Sequence, residues 1–148
     1  MCPAGYYSDG NTEQDHNKCT ACVPGQYASN DGAANCKFCE VGAYTTTSKQ
    51  SACSTCVAGK ETNKKLETGG TNCVICAVGR HEKTNQCIDC PKGWNQIATM
   101  QSNCVECPIG RVASAEKTSI ACALCHDGDY VNVPAQETCL KCGPGTFT

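Results

Sequence analysis

The chain has 148 residues, a net charge of −2 and a pI near 5.9. Leu, Ile, Val and Phe together supply only 19 of these residues, below the ~20% at which an apolar core becomes doubtful. Cysteine supplies 17, above the ~8–10% that marks a disulfide scaffold, so a core-built globule is excluded and covalent bridges must take its place.

In chain order the cysteines set a repeat. The first stretch, Met1-Cys2-Pro3-Ala4-Gly5, has neither the basic nor the apolar run of an export signal. After the lone Cys2 come eight CxxC pairs: Cys19/Cys22, Cys36/Cys39, Cys53/Cys56, Cys73/Cys76, Cys87/Cys90, Cys104/Cys107, Cys122/Cys125 and Cys139/Cys142. Cutting after each pair gives repeats 1 to 8 as residues 1–22, 23–39, 40–56, 57–76, 77–90, 91–107, 108–125 and 126–142, and residues 143–148 begin a further repeat. A period this regular is the mark of a tandem array.

Glycine confirms the register. Three residues after Cys2, and after the second cysteine of every pair, stand Gly5, Gly25, Gly42, Gly59, Gly79, Gly93, Gly110, Gly128 and Gly145. Such a fixed glycine implies a positive φ or a close approach between chain segments. Two residues later an aromatic follows in five copies: Tyr7, Tyr27, Tyr44, Tyr130 and Phe147. Glu61, His81, Asn95 and Val112 replace it in repeats 4 to 7, which predicts a less regular middle. Short β-prone runs such as Gln26-Tyr27-Ala28 and Tyr44-Thr45-Thr46-Thr47 are followed by turn chemistry at Ser8-Asp9-Gly10-Asn11, Ser29-Asn30-Asp31-Gly32 and Thr68-Gly69-Gly70. No stretch has the helical apolar period. The predicted fold is a small disulfide-rich all-β protein: an elongated tandem array of about eight short β-hairpin repeats, with little helix and no central core.

Sequence does not dictate connectivity. The simplest scheme joins the second cysteine of one pair to the first of the next: Cys2–Cys19, Cys22–Cys36, Cys39–Cys53, Cys56–Cys73, Cys76–Cys87, Cys90–Cys104, Cys107–Cys122 and Cys125–Cys139. Each bridge then clips one hairpin, and Cys142 is left unpaired or paired beyond Thr148. Both ends cut through a unit, so the expectation is a window on a longer array, with flanking repeats of the same chain as its first partners.

Runs such as Cys2-Pro3-Ala4-Gly5-Tyr6-Tyr7 and Cys22-Val23-Pro24-Gly25-Gln26-Tyr27, each closing on CxxC, resemble ephrin-receptor-like cysteine-rich repeats. The pattern is also similar to the surface immobilisation antigens of ciliates and the variant surface proteins of some parasitic flagellates. That resemblance covers the whole chain and implies glycolipid-anchored coats, adhesive ectodomains or extracellular fibres. The six-cysteine pattern of tumour-necrosis-factor-receptor modules is not present.

Other chemistries fit these residues less well than a scaffold does. Paired CxxC motifs at these spacings can hold zinc, but the pairs form an unbroken ladder, with glycine three residues after the second cysteine rather than directly after it. No metal and no cofactor is expected. Eight equivalent pairs without a βαβ setting argue against a redox CxxC. Asp9-x-Asn11-x-Glu13 opens like a calcium loop, yet Gln14 and Thr20 stand where that template needs Gly and Glu. His16, His81 and His126 are dispersed with no nucleophile partner, so catalysis is not expected.

No N-x-S/T sequon occurs; Asn17-Lys18-Cys19 and Asn85-Gln86-Cys87 fit only the N-x-C variant, and Thr45, Thr46, Thr47 and Ser48 form a candidate O-glycan cluster. Scattered charges leave no basic field for nucleic acid, and no segment approaches the ~18 apolar residues of a membrane span.

The functional expectation is a non-catalytic extracellular or cell-surface structural protein: a repeat segment of a surface coat, stalk or fibre, a surface-antigen-like glycoprotein that packs against like copies. The alternative is an adhesin or receptor ectodomain binding a protein or glycan, its best site the longer loop 60–72 with Lys64, Lys65 and Glu67.

Overall fold

The computed structural model describes residues 1–8, 18–114 and 120–146. The proposed calcium loop at Asp9, Asn11 and Glu13, together with His16, Asn17 and Phe147, lies outside them.

Among the described residues there is no helix, and sixteen short strands pair as eight two-stranded antiparallel hairpins, one per repeat. They are β1 (Tyr6–Tyr7) with β2 (Thr20–Ala21), β3 (Gln26–Tyr27) with β4 (Lys37–Phe38), β5 (Ala43–Tyr44) with β6 (Ser54–Thr55), and β7 (Lys60–Thr62) with β8 (Cys73–Ile75). The series continues with β9 (Arg80–Lys83) and β10 (Gln86–Asp89), β11 (Trp94–Asn95) and β12 (Val105–Glu106), β13 (Arg111–Val112) and β14 (Ala123–Leu124), and β15 (Asp129–Tyr130) with β16 (Leu140–Lys141).

The hairpins form where they do because of the turn that opens each one. The carbonyl after the opening cysteine accepts a hydrogen bond from the amide three residues on, as in Val23 to Gln26 (3.0 Å), Pro91 to Trp94 (3.1 Å) and His126 to Asp129 (2.9 Å). The third residue of each turn is the repeat glycine, with φ between 76° and 85° at all nine positions. An i→i+3 bond with positive φ at the third residue is the pattern of a type II turn, which favours Gly there and Pro just before it, as in Pro24-Gly25 and Pro144-Gly145. The turn reverses the chain, two residues pair across, and the second cysteine of the closing pair bonds back to the glycine: the Cys22, Cys39, Cys107 and Cys142 amides donate to the Gly5, Gly25, Gly93 and Gly128 carbonyls, each at 2.9 Å.

Eight disulfides follow the sequence-consecutive order, from Cys2–Cys19 and Cys22–Cys36 through to Cys125–Cys139, with Cα–Cα distances of 5.3 to 5.8 Å. Residues three apart on a strand point to opposite faces, so the two cysteines of a CxxC serve different bridges. The second cysteine is the buried one in most repeats; Cys22, Cys39, Cys76, Cys90 and Cys107 are wholly inaccessible. Sulfur therefore fills the interior, with Ala28, Val112, Ala113 and Val131 as small apolar additions.

The chain divides into two compact bodies, Met1–Val74 with Thr84–Gln86, and Ile75–Lys83 with Cys87–Thr148. The irregularity expected in repeats 4 to 7 is confined by strand length to repeats 4 and 5, where β7 to β10 have three or four residues. Repeats 6 and 7 keep two-residue strands despite lacking the aromatic. The turn glycine, not the aromatic ring, sets hairpin geometry. Repeat 5 has the shortest bridged span, 11 residues, and its hairpin turns through Thr84 and Asn85, both at positive φ.

Candidate functional site

The recurrent constellation in this chain is the junction between successive repeats, and it is built almost entirely from backbone. At repeats 1 and 2 the Gly5 amide donates to the Ala28 carbonyl (2.9 Å), the Ser8 amide to Ala33 (3.0 Å) and the Gly32 amide to Cys2 (2.7 Å). At repeats 2 and 3 the same positions recur as Gly25 to Thr45 (3.1 Å), Ala28 to Gln50 (3.1 Å) and Lys49 to Cys22 (2.9 Å). Within the second body, repeats 5 and 6 show Gly79 to Gln96 (2.7 Å), Glu82 to Gln101 (2.7 Å) and Met100 to Cys76 (2.9 Å). Three bonds of one pattern thus join three separate pairs of repeats. Two of the three recur at repeats 3 and 4 (Gly69 to Cys39, Thr45 to Gly70) and at repeats 7 and 8 (Gly110 to Val131, Ala135 to Cys107).

One residue in each of five loops carries the junction: Gly32, Lys49, Gly69, Met100 and Ala135 sit at positive φ and donate their amides to the opening cysteine of the preceding repeat. The carbonyls of Lys49, Gly69 and Ala135 also lie over the turn glycine two repeats back. A methyl group on Gly25 would lie 2.6 Å from the Gly69 carbonyl oxygen; one on Gly5 or Gly93 would collide with the Lys49 or Ala135 carbonyl, and one on Gly42 would meet Asn85 at 2.8 Å. Among the described residues nothing comes within 4 Å of such a methyl at Gly110, Gly128 or Gly145. The first group therefore has two reasons to be glycine and the second has one.

Sequence reasoning missed these junction residues. A signal was present: Gly32, Lys49, Met100 and Ala135 each stand seven residues after their repeat glycine. Residue type hid it, because Lys, Met and Ala do not announce a left-handed backbone. That backbone costs a non-glycine residue about 1–2 kcal/mol, partly offset by the ordering cost of glycine. Ala135→Gly is accordingly expected to stabilise the chain by about 0.5–1 kcal/mol, seen as a raised thermal midpoint by circular dichroism. Gly32→Ala, at the same register, should shift it the other way.

The other candidate residues fall as follows. Thr45 is only 5% exposed. Its hydroxyl accepts the Gly25 amide at 2.8 Å and donates to the Gln26 carbonyl at 3.4 Å, so it belongs to the junction. Thr46, Thr47 and Ser48 are exposed, and the Thr47 hydroxyl accepts from the Gln50 side-chain amide at 2.9 Å. Cys142 is free and half-buried. The N-x-C cysteines Cys19 and Cys87 are both bridged.

The loop 60–72 is pinned at its base: the Asn63 side chain accepts from the Thr71 amide (2.9 Å) and donates to the Thr71 hydroxyl (2.8 Å). Beyond that clamp Lys64, Lys65 and Glu67 are exposed around Leu66, itself 70% exposed. His126 is exposed in its turn. His81 is brought to Cys104, with Nδ1 3.0 Å from Sγ.

No family model matches the chain, and no curated protein matches it either. No helix among the described residues is long and apolar enough to cross a membrane.

Proposed function

We propose that this chain is a repeat segment of a non-catalytic extracellular coat, stalk or fibre. The observation that carries the reading is the backbone junction. Because the three joining bonds use main-chain atoms, the side chains between the register positions are free to vary, and each added repeat extends the array by the same local rule. Eight consecutive disulfides call for an oxidising environment, in keeping with secretion or cell-surface display. The likeness to ephrin-receptor-like repeats and to protist surface antigens points the same way, and like copies packed side by side are the partners such a coat or fibre would have.

The test is to label native cells with an antibody raised against the exposed loop at Lys64–Leu66. A continuous layer or filaments on unpermeabilised cells is the expected result. Label confined to a reducing interior, with free thiols at the CxxC positions, would end the proposal. A discrete soluble monomer holding a stoichiometric protein or glycan would favour the second reading, an adhesin or receptor ectodomain. The observation behind that second reading is the same loop, which presents two lysines and an exposed leucine above the Asn63 clamp.

A further inference from the structure

We infer that Cys104 is a site of exchange with small anionic thiols, opened by His81 at the Cys90–Cys104 bridge. Among the described residues a His81 ring nitrogen, Cys90 Sγ and Cys104 Sγ form a cluster in which each atom lies within 4.8 Å of the others. Such a set would suit a soft cation if the sulfurs were thiolates. They are bonded to each other and carry no negative charge, so the chemistry open to the cluster is that of the disulfide.

Three features separate this bridge from the rest of the second body. Its two sulfurs belong to residues of unlike exposure: Cys90 is wholly buried, while Cys104 is half-buried and lines an open cleft of about 390 Å³. An incoming thiolate must approach along the S–S axis, and of the two bridged residues only Cys104 lines the cleft. Next, the cleft wall offers Trp94, Ile88 and Pro91 as an apolar berth beside Cys104, with Lys83 in the lining and the one carboxylate there, Asp89, paired with Arg80 at 3.1 Å. Finally, His81 Nδ1 stands 3.0 Å from Cys104 Sγ. A bridged sulfur has no proton, so a hydrogen bond here runs from the ring N–H to sulfur, drawing electron density from the atom under attack. When the ring is an imidazolium, its charge also favours an approaching thiolate.

The exchange conserves atoms and electrons. The thiolate sulfur bonds to Cys104 Sγ, the Cys90–Cys104 bond breaks, and its electron pair stays on Cys90 Sγ. When His81 is an imidazolium it gives a proton to that sulfur, the ring nitrogen and both sulfurs belonging to one cluster no more than 4.8 Å across. A mixed disulfide on Cys104, a Cys90 thiol and a neutral imidazole are the products. One disulfide has replaced another, and no further oxidant or reductant is consumed. Lowering the basicity of the departing sulfur, or protonating it as it leaves, speeds such exchange.

The experiment uses the folded, oxidised chain with Cys142 alkylated beforehand and 2-mercaptoethanesulfonate as the thiol. Quenching with an isotope-coded alkylating agent and mapping peptides shows which bridge opens first and where the adduct sits. Expected is an adduct on Cys104 and a fresh thiol on Cys90, formed about tenfold faster than opening of Cys76–Cys87 in the same body. His81→Gln keeps a hydrogen-bond donor but cannot transfer the proton, and should slow Cys90–Cys104 opening about tenfold while Cys76–Cys87 is unchanged. His126→Gln, an exposed histidine elsewhere, should change neither rate. An adduct on Cys90, or another bridge opening first in the wild-type chain, overturns the inference whatever the variants do. Equal rates in wild type and His81→Gln remove His81 from it. If His81→Gln loosens the fold, Cys76–Cys87 opens faster too, and the wild-type adduct position decides.

Discussion

Replacing both Cys39 and Cys53 with alanine should lower the stability of the first body by about 4 kcal/mol, against about 3 kcal/mol for the same change at Cys125 and Cys139. Both bridges span 14 residues. The loop-closure contribution is therefore the same in each, about 3 kcal/mol for a loop near this length. What differs is the packing of the sulfurs. Cys39 is wholly inaccessible, whereas Cys125 and Cys139 are both half-buried. Removing a fully buried group of this size forfeits about 1 kcal/mol of transfer free energy beyond the entropy term. Denaturant titration of the two double variants under non-reducing conditions, read by circular dichroism, measures both costs. Equal losses would show that the bridges act only through the unfolded chain and that sulfur is not the packing material of this fold. Since domains of this size are stable by only about 5–15 kcal/mol, reducing all eight bridges should unfold the chain outright.

Gly25→Ala is expected to cost about 1.5–4 kcal/mol, and Gly128→Ala only about 0.5–1 kcal/mol. Both glycines turn at nearly the same φ, 84° and 85°. An alanine at either place pays the left-handed backbone penalty of about 1–2 kcal/mol, less the ordering cost of glycine, a net of about 0.5–1 kcal/mol. At Gly25 the new methyl would also stand 2.6 Å from the Gly69 carbonyl oxygen, which is held in place by the bond from the Gly69 amide to Cys39 at 2.7 Å. Relieving that overlap means moving main chain, the expensive kind of overpacking, at about 1–3 kcal/mol. Gly128 has open space at the same point. Hydrogen exchange separates the two effects: Gly25→Ala should lose protection at Gly69 and Thr45, partners from two different repeats. Gly128→Ala should loosen only its own hairpin. A matching cost at both sites would mean that the glycines serve the turn alone and that the approach of the Gly69 carbonyl contributes nothing.

These two expectations share a cause. The hairpin is too short to be stable by itself; a two-residue ladder closes few hydrogen bonds and buries little. Stability comes from a covalent clip within each repeat and a backbone junction between repeats. The junction uses one left-handed residue in each of five loops and, at Gly5, Gly25 and Gly93, the close approach of a carbonyl. Where the left-handed residue is glycine, as at Gly32 and Gly69, the fit is unstrained. Lys49, Met100 and Ala135 accept strain at the same position, so the array tolerates substitutions there at a modest cost in stability.

Much of the fold was legible in the sequence because cysteine and glycine carry their constraints in their chemistry. A cysteine needs a partner at bonding distance, and a ladder of equally spaced pairs leaves few ways to supply one. A glycine recurring three residues after each opening cysteine signals a turn that other residues adopt only with strain. From these came the all-β class, the eight hairpins and the consecutive order of the bridges. The aromatic signal was weaker, because Trp94–Asn95 and Arg111–Val112 form the same short strand as Gln26–Tyr27.

Tertiary structure alone decided how one repeat meets the next. The residues that make the junction act through amide and carbonyl groups, which every amino acid possesses, so Lys49 and Ala135 do by backbone what Gly32 does and leave no common letter in the sequence. Thr45 reads as an exposed polar residue of a candidate glycan cluster until its hydroxyl is seen to take the Gly25 amide. His81 reads as a lone histidine until the fold sets it against Cys104, 23 positions away. The sequence by itself determined the repeat and its covalent clips, because side-chain identity carries that information. Only the folded chain determined the junctions and the histidine–disulfide pair, because those depend on backbone conformation and on proximity across separate loops.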